Sequence, residues 1–212
     1  AGVIYWLSGF PVQPLLLAGV LIASAVAVWF KPVTALAIIP AALPILDEHG
    51  GVLVADEVGL GKTIEAGIVI TQYWAERKRR ILIVAPSSLR QQWQQELLEK
   101  FLIPSQLLDP KLKDEQLART AQQGAEVLIC SYEFAMRHET SLLRQWDLVV
   151  CDEAHRLRNF YTGRNKAPEA ISHIVREAHK TILLTATPLQ NRLEELYGLV
   201  SVFDPDYFYS LD

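Results

Sequence analysis

The stretch DEVGLGKT, residues 56–63, combines glycines, a lysine and a threonine at a spacing suited to binding phosphate. Gly59 and Gly61 let the backbone turn tightly and bring N–H groups against phosphate oxygens. Lys62 then opens a helix whose first amides and dipole favour an anion, and the Thr63 hydroxyl is placed to ligate Mg²⁺. The stretch therefore predicts a phosphate-binding turn between a strand and a helix.

This loop departs from the general pattern G-x-x-x-x-G-K-[ST] at its first position, where Asp56 replaces glycine. None of the roles above needs that glycine, so the departure costs the motif little. An ordinary turn with a lysine at the helix start is the alternative interpretation. The predicted nucleotide-binding residues are Asp56, Glu57, Val58, Gly59, Leu60, Gly61, Lys62 and Thr63.

A second stretch, DLVVCDEAH at residues 147–155, places two carboxylates after an apolar run. Open α/β sheets bind ligands at the carboxyl ends of their strands, which is where these side chains fall. Asp152 is suited to hold Mg²⁺, and Glu153 to orient and deprotonate an attacking water. His155 is placed to couple this loop to a neighbouring one. The alternative is an acidic helix N-terminus favoured by the helix dipole.

The third stretch is TILLTATPLQN at residues 181–191, in which a predicted strand ends in two threonines and a proline. Thr185 and Thr187 can donate and accept hydrogen bonds near the carboxylates. A strand that ends in a polar turn would look the same. Three such elements in this order, each ending a predicted strand, favour phosphate chemistry because independent signals agree.

The elements that must position these residues alternate short apolar strands with amphipathic helices. Because the strands are rich in Val, Ile and Leu with little alternation, we expect an α/β fold with a parallel sheet and helices on both faces. One helix face, carrying Leu89, Trp93, Leu97 and Phe101, is interpreted as core packing. The predicted strands are about 52–55, 81–85, 127–130, 148–151 and 181–185, and the predicted helices about 62–77, 89–101, 114–123, 168–178 and 192–202.

Net charge and cysteine content limit the partners and the metal sites that the sequence can indicate. The 212 residues carry a formal charge of −4, so no bulk positive field indicates a nucleic-acid partner, although a local basic groove is compatible with it. The two cysteines, Cys130 and Cys151, each close an apolar run. We expect both to be small core residues, with no disulfide framework and no metal cluster.

Residues 1–46 differ from the rest, with one charged side chain, Lys31, and five of the eleven prolines. The uncharged run 15–30 falls just short of the ~18–20 residues expected of a membrane span. Three interpretations stay open for 1–46: a membrane anchor or hairpin, a buried apolar extension, or sequence foreign to the native domain. The domain proper is predicted at 47–212.

Four segments resemble motifs I, Ia, II and III of the SWI/SNF-type ATPases in helicase superfamily 2: DEVGLGKTIEAG, ILIVAPSSLRQQWQQEL, DEAHRLRN and LLTATPLQNRLEELYGL. A loop that begins with Asp is characteristic of that family. DEVGLGKTIEAG and ICSYEFAMR are similar to its bacterial RapA-like branch. The resemblance covers about residues 47–209 and implies that 47–212 is a RecA-like P-loop NTPase lobe, the helicase ATP-binding domain.

The resemblance also implies roles for individual residues, with ATP and Mg²⁺ as cofactors. Lys62 and Thr63 would bind phosphate and Mg²⁺, Asp152 would bind Mg²⁺, and Glu153 would act as the catalytic base. One further group of residues would couple the nucleotide state to nucleic acid. Another would contact the nucleic-acid backbone through hydroxyls and amides. The coupling residues are His155, Thr185, Thr187 and Gln190, and the nucleic-acid contacts are Pro86, Ser87, Ser88, Ser131 and Tyr132.

Two departures from the family pattern affect what this chain is expected to do alone. The glutamine that recognises adenine is missing, because 34–46 has no glutamine and two prolines. The second RecA-like lobe and its arginine finger are also absent from the chain. Since such a finger is worth ~10³–10⁵ in turnover, we expect the isolated lobe to be nearly inactive and not to translocate.

The family moves along duplex DNA by cycling its two lobes, so the expected partners are duplex DNA and the second lobe, with RNA polymerase or another DNA-bound complex as a further candidate. We expect a cytoplasmic location and no membrane partner. Two other functions stay open: a non-catalytic or membrane-tethered nucleotide-binding module, and an RNA-remodelling ATPase of the same superfamily.

Overall fold

The computed structural model describes residues 3–5, 50–55, 62–123, 126–157, 166–186, 198–199 and 201–202. Their centre is one seven-stranded sheet in the order β1-β2-β7-β6-β3-β5-β4. Six neighbouring strands are parallel, and β1 pairs antiparallel with β2 at one edge. The strands are β1 Val3–Tyr5, β2 Gly51–Ala55, β3 Arg80–Ala85, β4 Ser105–Leu107, β5 Glu126–Ser131, β6 Leu148–Cys151 and β7 Thr181–Thr185.

The five predicted strands are confirmed, each within one residue of its predicted ends. The sequence did not predict the two edge strands. β4 has three half-buried residues, too few and too polar to show an apolar run. β1 lies in the apolar segment 1–46 and contributes an antiparallel edge to a sheet that was expected to be parallel throughout.

Helices connect the strands. They are α1 Lys62–Ala75, α2 Arg90–Phe101, α3 Lys113–Gln123, α4 Tyr132–Arg137, α5 Glu139–Leu142 and α6 Lys166–Arg176, with a 3-10 turn at Ala154–Leu157. Four predicted helices are confirmed, and the fifth, at 192–202, lies mostly outside the described residues. The sequence did not predict α4 and α5, whose lengths of six and four residues give no readable periodicity.

Helix α1 ends two residues earlier than predicted because Arg77 adopts the left-handed conformation at φ 64°. The N–H of Lys78 then donates to the carbonyl of Tyr73 at 2.9 Å, and the N–H of Arg77 to that of Trp74 at 3.2 Å. These bonds satisfy carbonyls at the helix end in the manner of a Schellman turn.

Both faces of the sheet are covered, as expected. In β3, Ile81 and Ile83 pack with α1 and α2 on one face, while Leu82 and Val84 belong to the core on the other. All four side chains are fully buried. The alternation follows from the period of two in a strand, which sends successive side chains to opposite faces.

Helices α1 and α2 pack closely because Gly67 has no side chain. A Cβ at Gly67 would meet the ring of Phe101 well inside van der Waals contact. On the same face of α2, Trp93 and Leu97 are buried and Leu89 and Phe101 are partly buried against the core, so the predicted stripe is confirmed.

The amino end of the sheet is held by a reciprocal contact between β3 and the residue that precedes β6. The Asp147 carboxylate accepts hydrogen bonds from the backbone N–H of Arg80 at 2.9 Å and from its Nη2 at 2.9 Å. The N–H of Asp147 donates to the carbonyl of Arg80 at 2.8 Å. Asp147 is therefore a structural carboxylate at the edge opposite Asp152.

Within the described part of the chain, no helix is both long enough and apolar enough to cross a membrane. Apart from β1, residues 1–46 lie outside the described residues, and so do the interpretations that concern them.

We expect Asp147→Ala to lower the free energy of unfolding by about 1–3 kcal/mol, because it leaves the backbone N–H of Arg80 without its side-chain acceptor. Urea unfolding monitored by circular dichroism measures the change. The matched control is Glu99→Ala on the exposed face of α2, where the carboxylate accepts from Gln95 and a change within about 0.5 kcal/mol is expected. Equal midpoints for the two variants would contradict the role of Asp147.

Candidate functional site

The register of the sheet brings the ends of the central strands to one edge. Ala55 lies opposite Thr185, and Ala85 lies opposite Ser131. Cys151, the last residue of β6, pairs with Val84 on one side and with Leu183 on the other. Since these strands are parallel, the residues that follow each of them share one carboxyl edge, as predicted from the three sequence stretches.

Lys62 and Thr63 are the first two residues of α1 and are partly exposed. Their position puts the backbone amides of the first helical turn at the same edge. Burial raises the pKa of the Asp152 carboxyl, and the positive charge of Lys62 is near enough to oppose part of that rise. The structure thus brings the predicted phosphate lysine and the predicted metal carboxylate together. The loop residues Asp56, Glu57, Val58, Gly59, Leu60 and Gly61 lie outside the described residues.

The Asp152 side chain is buried, with 6% of the residue exposed, and both of its carboxylate oxygens accept hydrogen bonds. Oδ2 accepts from the indole Nε1 of Trp93 at 2.8 Å, and Oδ1 accepts from the backbone N–H of Glu153 at 2.8 Å. Burial raises the pKa of Asp152 above its ordinary value, and these two bonds and the Lys62 charge oppose that rise without cancelling it. A cation at this position would offset the cost of the buried charge.

The main chain of Asp152 is held as firmly as its side chain. Its N–H donates to the carbonyl of Val84 at 2.8 Å, and its carbonyl accepts from the hydroxyl of Tyr132 at 2.7 Å. Burial raises the pKa of the Tyr132 hydroxyl, so it remains a donor at neutral pH. Strand β3 and the first residue of α4 therefore both fix the end of β6.

Glu153 has a left-handed backbone at φ 52°, a conformation that costs a non-glycine residue of order 1–2 kcal/mol. Its carboxylate is 26% exposed, and Oε2 lies 3.0 Å from Nδ1 of His155. The predicted base and the predicted coupling histidine therefore contact each other within one turn. This contact becomes an ion pair only when the imidazole is protonated.

Among the other predicted coupling residues, Thr185 ends β7 and is fully buried at the same edge. Thr187 and Gln190 lie outside the described residues.

The residues predicted to contact nucleic acid divide into two groups. Ser87 and Ser88 are exposed on the turn between β3 and α2, whereas Pro86 in that turn is buried. Ser131 accepts from the N–H of Phe134 at 3.1 Å as the N-cap of α4, and the Tyr132 hydroxyl bonds to Asp152. Direct side-chain contact with nucleic acid is therefore open to the two exposed serines, while the contact itself stays a prediction.

An acidic residue occupies the space beside Ser87. The hydroxyl of Ser87 donates to Oε2 of Glu133 at 3.0 Å, and Nη1 of Arg156 lies 3.9 Å from Oε1. The guanidinium of Arg156 also lies over the ring of Tyr132, 5.9 Å from its centre. Hydrogen bonds from the backbone N–H of Glu133, from Ser131 and from Ser87, together with the charge of Arg156, lower the pKa of Glu133 despite partial burial.

The oxygen donors at this edge fit Mg²⁺. Asp152 supplies a carboxylate and Thr63 a hydroxyl, and Mg²⁺ is held in proteins by one or two such hard oxygens together with substrate phosphates and water. Among the described residues, no three His, Cys, Asp or Glu side chains converge as in an all-protein metal site. The donor set therefore suits a cation that arrives with a nucleotide.

Sequence reasoning missed Trp93 and Glu133 as members of this site. Trp93 was interpreted only as core because its helical spacing indicates a buried face. The available signal was chemical: a buried indole N–H needs an acceptor, and the helix itself offers none. Which strand end supplies that acceptor depends on tertiary packing.

The parallel sheet with helices on both faces has the RecA-like fold. A family model described as the SNF2-related domain matches residues 16–212. The chain belongs to this family, and bacterial RapA proteins are among its relatives.

Curated relatives include an uncharacterised ATP-dependent helicase, YqhH, of Bacillus subtilis, which is 39% identical over 163 residues. That match covers 75% of this chain and 27% of the relative. The RNA polymerase-associated protein RapA of Actinobacillus succinogenes is 35% identical over 175 residues, covering 77% of this chain and 18% of RapA. RapA of Yersinia pseudotuberculosis is 37% identical, covering 76% and 17%. The chain thus spans less than a third of the length of these relatives.

Solved structures support the fold. The SWI2/SNF2 ATPase core of Sulfolobus solfataricus in complex with double-stranded DNA matches with a TM-score of 0.60 at 23% identity, covering 72% of this chain and 31% of that one. The same core domain without DNA matches with a TM-score of 0.59 at 24% identity, covering 76% and 32%. The RecA-like fold expected from the sequence is confirmed.

The two cysteines lie at the carboxyl ends of β5 and β6, directly beside the site. Both are free and fully buried, as predicted for small core residues. Burial raises the pKa of the Cys130 thiol to about 12 and raises that of Cys151 as well. Neither thiol is therefore a nucleophile at neutral pH.

We expect both thiols to resist a disulfide reagent such as DTNB at pH 8, because each is buried and protonated in the folded chain. Labelling should be at least about a thousandfold slower in buffer than in concentrated urea, since it requires the sheet to open. Absorbance at 412 nm measures it, and the slow rate should rise in parallel with the unfolded fraction. Rapid labelling of either cysteine under native conditions would show that the strand ends beside Asp152 open locally.

Proposed function

We propose that this chain is the first ATPase lobe of a DNA-dependent translocase of the SNF2 family. It binds Mg-ATP and hydrolyses it to ADP and phosphate, and with a second lobe this cycle drives movement along duplex nucleic acid. The observation that carries the proposal is the convergence of Lys62, at the start of α1, with the buried Asp152 carboxylate at the end of β6.

The residues at the carboxyl edge divide the chemistry between them. Lys62 and the first amides of α1 bind the phosphates, while Thr63 and Asp152 provide the oxygens that would hold Mg²⁺. When bound, Mg²⁺ neutralises charge on the β- and γ-phosphates. Glu153 orients the attacking water and accepts its proton as the water oxygen bonds to the γ-phosphorus and the bond to the β-phosphate oxygen breaks. The strained backbone of Glu153 is typical of a catalytic position.

Nucleic acid is proposed to contact the turn after β3, where the exposed Ser87 and Ser88 can donate hydrogen bonds to backbone phosphates without reading bases. Support for duplex DNA comes from the Sulfolobus core, which was solved with double-stranded DNA. The relatives named as RNA polymerase-associated support RNA polymerase as a partner of the longer protein. The cytoplasmic location stays a prediction.

The site predicts different effects for its lysine and its base. Lys62→Ala should weaken Mg-ATP binding to this chain about 10- to 100-fold, because a charge-assisted phosphate contact is lost. Glu153→Gln should leave that affinity within about threefold but lower the DNA-stimulated hydrolysis of the full-length protein by about 10²–10⁴-fold, since the proton acceptor is lost. Calorimetry measures the binding and phosphate release measures the turnover.

The matched control is Lys78→Ala, which removes an equal charge beyond the other end of α1, where Lys78 pairs with Glu76. It should change neither quantity. If wild-type chain binds no Mg-ATP, or if Lys62→Ala binds as well as wild type, the proposal fails. Stimulation by single-stranded RNA and not by duplex DNA would instead indicate an RNA-remodelling ATPase.

The Ser87–Glu133 hydrogen bond sets a second test, because a nucleic-acid phosphate must compete with the Glu133 carboxylate for the serine hydroxyl and for Arg156. Glu133→Gln should therefore tighten duplex DNA binding about 3- to 10-fold at low salt, with the difference shrinking as salt rises. Fluorescence anisotropy with a labelled duplex measures both effects. The control Glu115→Gln removes an exposed charge from α3, where Glu115 pairs with Arg119, and should leave the affinity unchanged. Equal affinities for wild type and Glu133→Gln would place DNA away from Ser87.

A further inference from the structure

We infer that Trp93 is a positioning residue for Asp152: its indole N–H holds the carboxylate in the orientation that binds the nucleotide-associated divalent cation. The inference rests on the proposed function, since it concerns the same site. It assigns to α2 a part in metal binding that the sequence interpretation of Trp93 as core did not include.

The first support is the geometry of the hydrogen bond. Trp93 is 1% exposed and its Nε1 lies 2.8 Å from Oδ2 of Asp152, a distance typical of a charge-assisted bond. Among the described residues, Trp93 is the one side chain that donates to this carboxylate. The second oxygen accepts from the N–H of Glu153. Because each carboxylate oxygen accepts a separate hydrogen bond, rotation of the carboxylate about its terminal torsion would break both bonds.

The second support is that the position of the donor is itself fixed. Trp93 lies in the first turn of α2, where its backbone N–H donates to the carbonyl of Leu89 at 2.9 Å. Leu89 in turn donates to Pro86 at 2.9 Å, at the end of β3. Since β3 and β6 are hydrogen-bonded neighbours, the same pair of strands fixes the positions of the Trp93 indole and the Asp152 carboxylate. Rigid support of a metal ligand is worth about 10- to 100-fold in metal affinity.

The third support is that a role in packing alone does not explain a tryptophan at position 93. If Trp93 served packing alone, an apolar ring would suffice at this position. A buried indole N–H instead needs an acceptor, and this one meets a buried carboxylate that itself needs donors. The two groups therefore satisfy each other, and the bond orients the carboxylate proposed to bind the cation.

The chain provides a matched control in Trp146. It is also 1% exposed, and its Nε1 donates a buried hydrogen bond of 2.9 Å to the carbonyl of Leu142, on the other face of the sheet. Trp93→Phe and Trp146→Phe each delete one indole N–H and the same volume. Only the first change touches Asp152.

The experiment measures Mn²⁺ affinity in the presence of saturating ADP, from the free Mn²⁺ signal in electron paramagnetic resonance. We expect Trp93→Phe to weaken Mn²⁺ binding about 10-fold, while Trp146→Phe stays within about twofold of wild type. Asp152→Asn should weaken it further, and adding Trp93→Phe to Asp152→Asn should change nothing more. Urea unfolding of the two tryptophan variants checks that their losses of stability are comparable.

A second measurement on wild-type chain keeps the inference testable if Trp93→Phe fails to fold. In a ¹⁵N-labelled sample with ADP bound, adding Mg²⁺ should shift the indole N–H resonance of Trp93 and leave that of Trp146 in place. The Trp146 resonance is assigned from its phenylalanine variant, and the Trp93 resonance from the change in its position that Asp152→Asn causes in the absence of Mg²⁺, because that substitution alters the acceptor of the indole N–H.

The outcomes separate the inference from the proposed function. If wild-type chain binds Mn²⁺ with ADP but Trp93→Phe binds it equally well, or if the Trp93 resonance does not respond to Mg²⁺, the positioning role is overturned and the proposed function stands. If wild-type chain binds no Mn²⁺ in the presence of ADP, the proposed function fails and the inference fails with it. A 10-fold loss confined to Trp93→Phe supports both.

Discussion

The structure depends on the burial of a parallel sheet on both of its faces. Every residue of β5 and β6 is buried, and successive side chains of β3 alternate between two apolar cores. Polar side chains have no place along such strands because an unpaired polar group there would lose its hydration. The reactive residues are consequently confined to the strand ends, and the parallel direction of the strands places those ends together.

At that edge, the free-energy cost of burying the Asp152 carboxylate determines which groups surround it. A carboxylate removed from water loses several kcal/mol of hydration, and two hydrogen bonds to a charged group return about 1.5–3 kcal/mol each. The raised pKa of Asp152 shows that burial outweighs the bonds from Trp93 and Glu153. The charge of Lys62 is already part of that balance, so the remaining deficit is what a divalent cation is suited to offset. The folded chain thus holds a carboxylate whose electrostatic need matches the ligand proposed for it.

Much of this arrangement could be predicted from the sequence because its signals are local. The apolar runs at 148–151 and 181–185 match β6 and β7 residue for residue, and the lysine at 62 is the first residue of α1. The contacts that give the site its shape are not local. The partners of Asp152 are separated from it by 59 residues in the case of Trp93 and by 20 in the case of Tyr132. No periodicity reports such pairs, and the left-handed turn at Glu153 has no glycine to indicate it.

The predicted nucleic-acid contacts also show that a sequence motif does not reveal which of its side chains are exposed. Ser87 and Ser88 are exposed, as a contact requires, whereas Ser131 and Tyr132 are used inside the protein as a helix cap and as a brace for β6. A hydroxyl in a motif does not reveal whether it faces solvent or the next strand. The exposure of a residue after a strand depends on whether a helix begins there, and the short α4 was not readable in the sequence.

The Arg80–Asp147 contact lies at the opposite end of the sheet from Asp152, because Asp147 and Asp152 flank the four residues of β6 and are about 17 Å apart along that strand. A contact that stabilises the fold therefore lies at the amino ends of the strands, and the proposed reactive residues lie at their carboxyl ends. Substitutions at the amino end change the free energy of unfolding without altering the site at the carboxyl end. Substitutions in the loops at the carboxyl end leave the Arg80–Asp147 contact intact. Such a division gives the lobe a tolerance to mutation that a site built at the centre of its own core would lack.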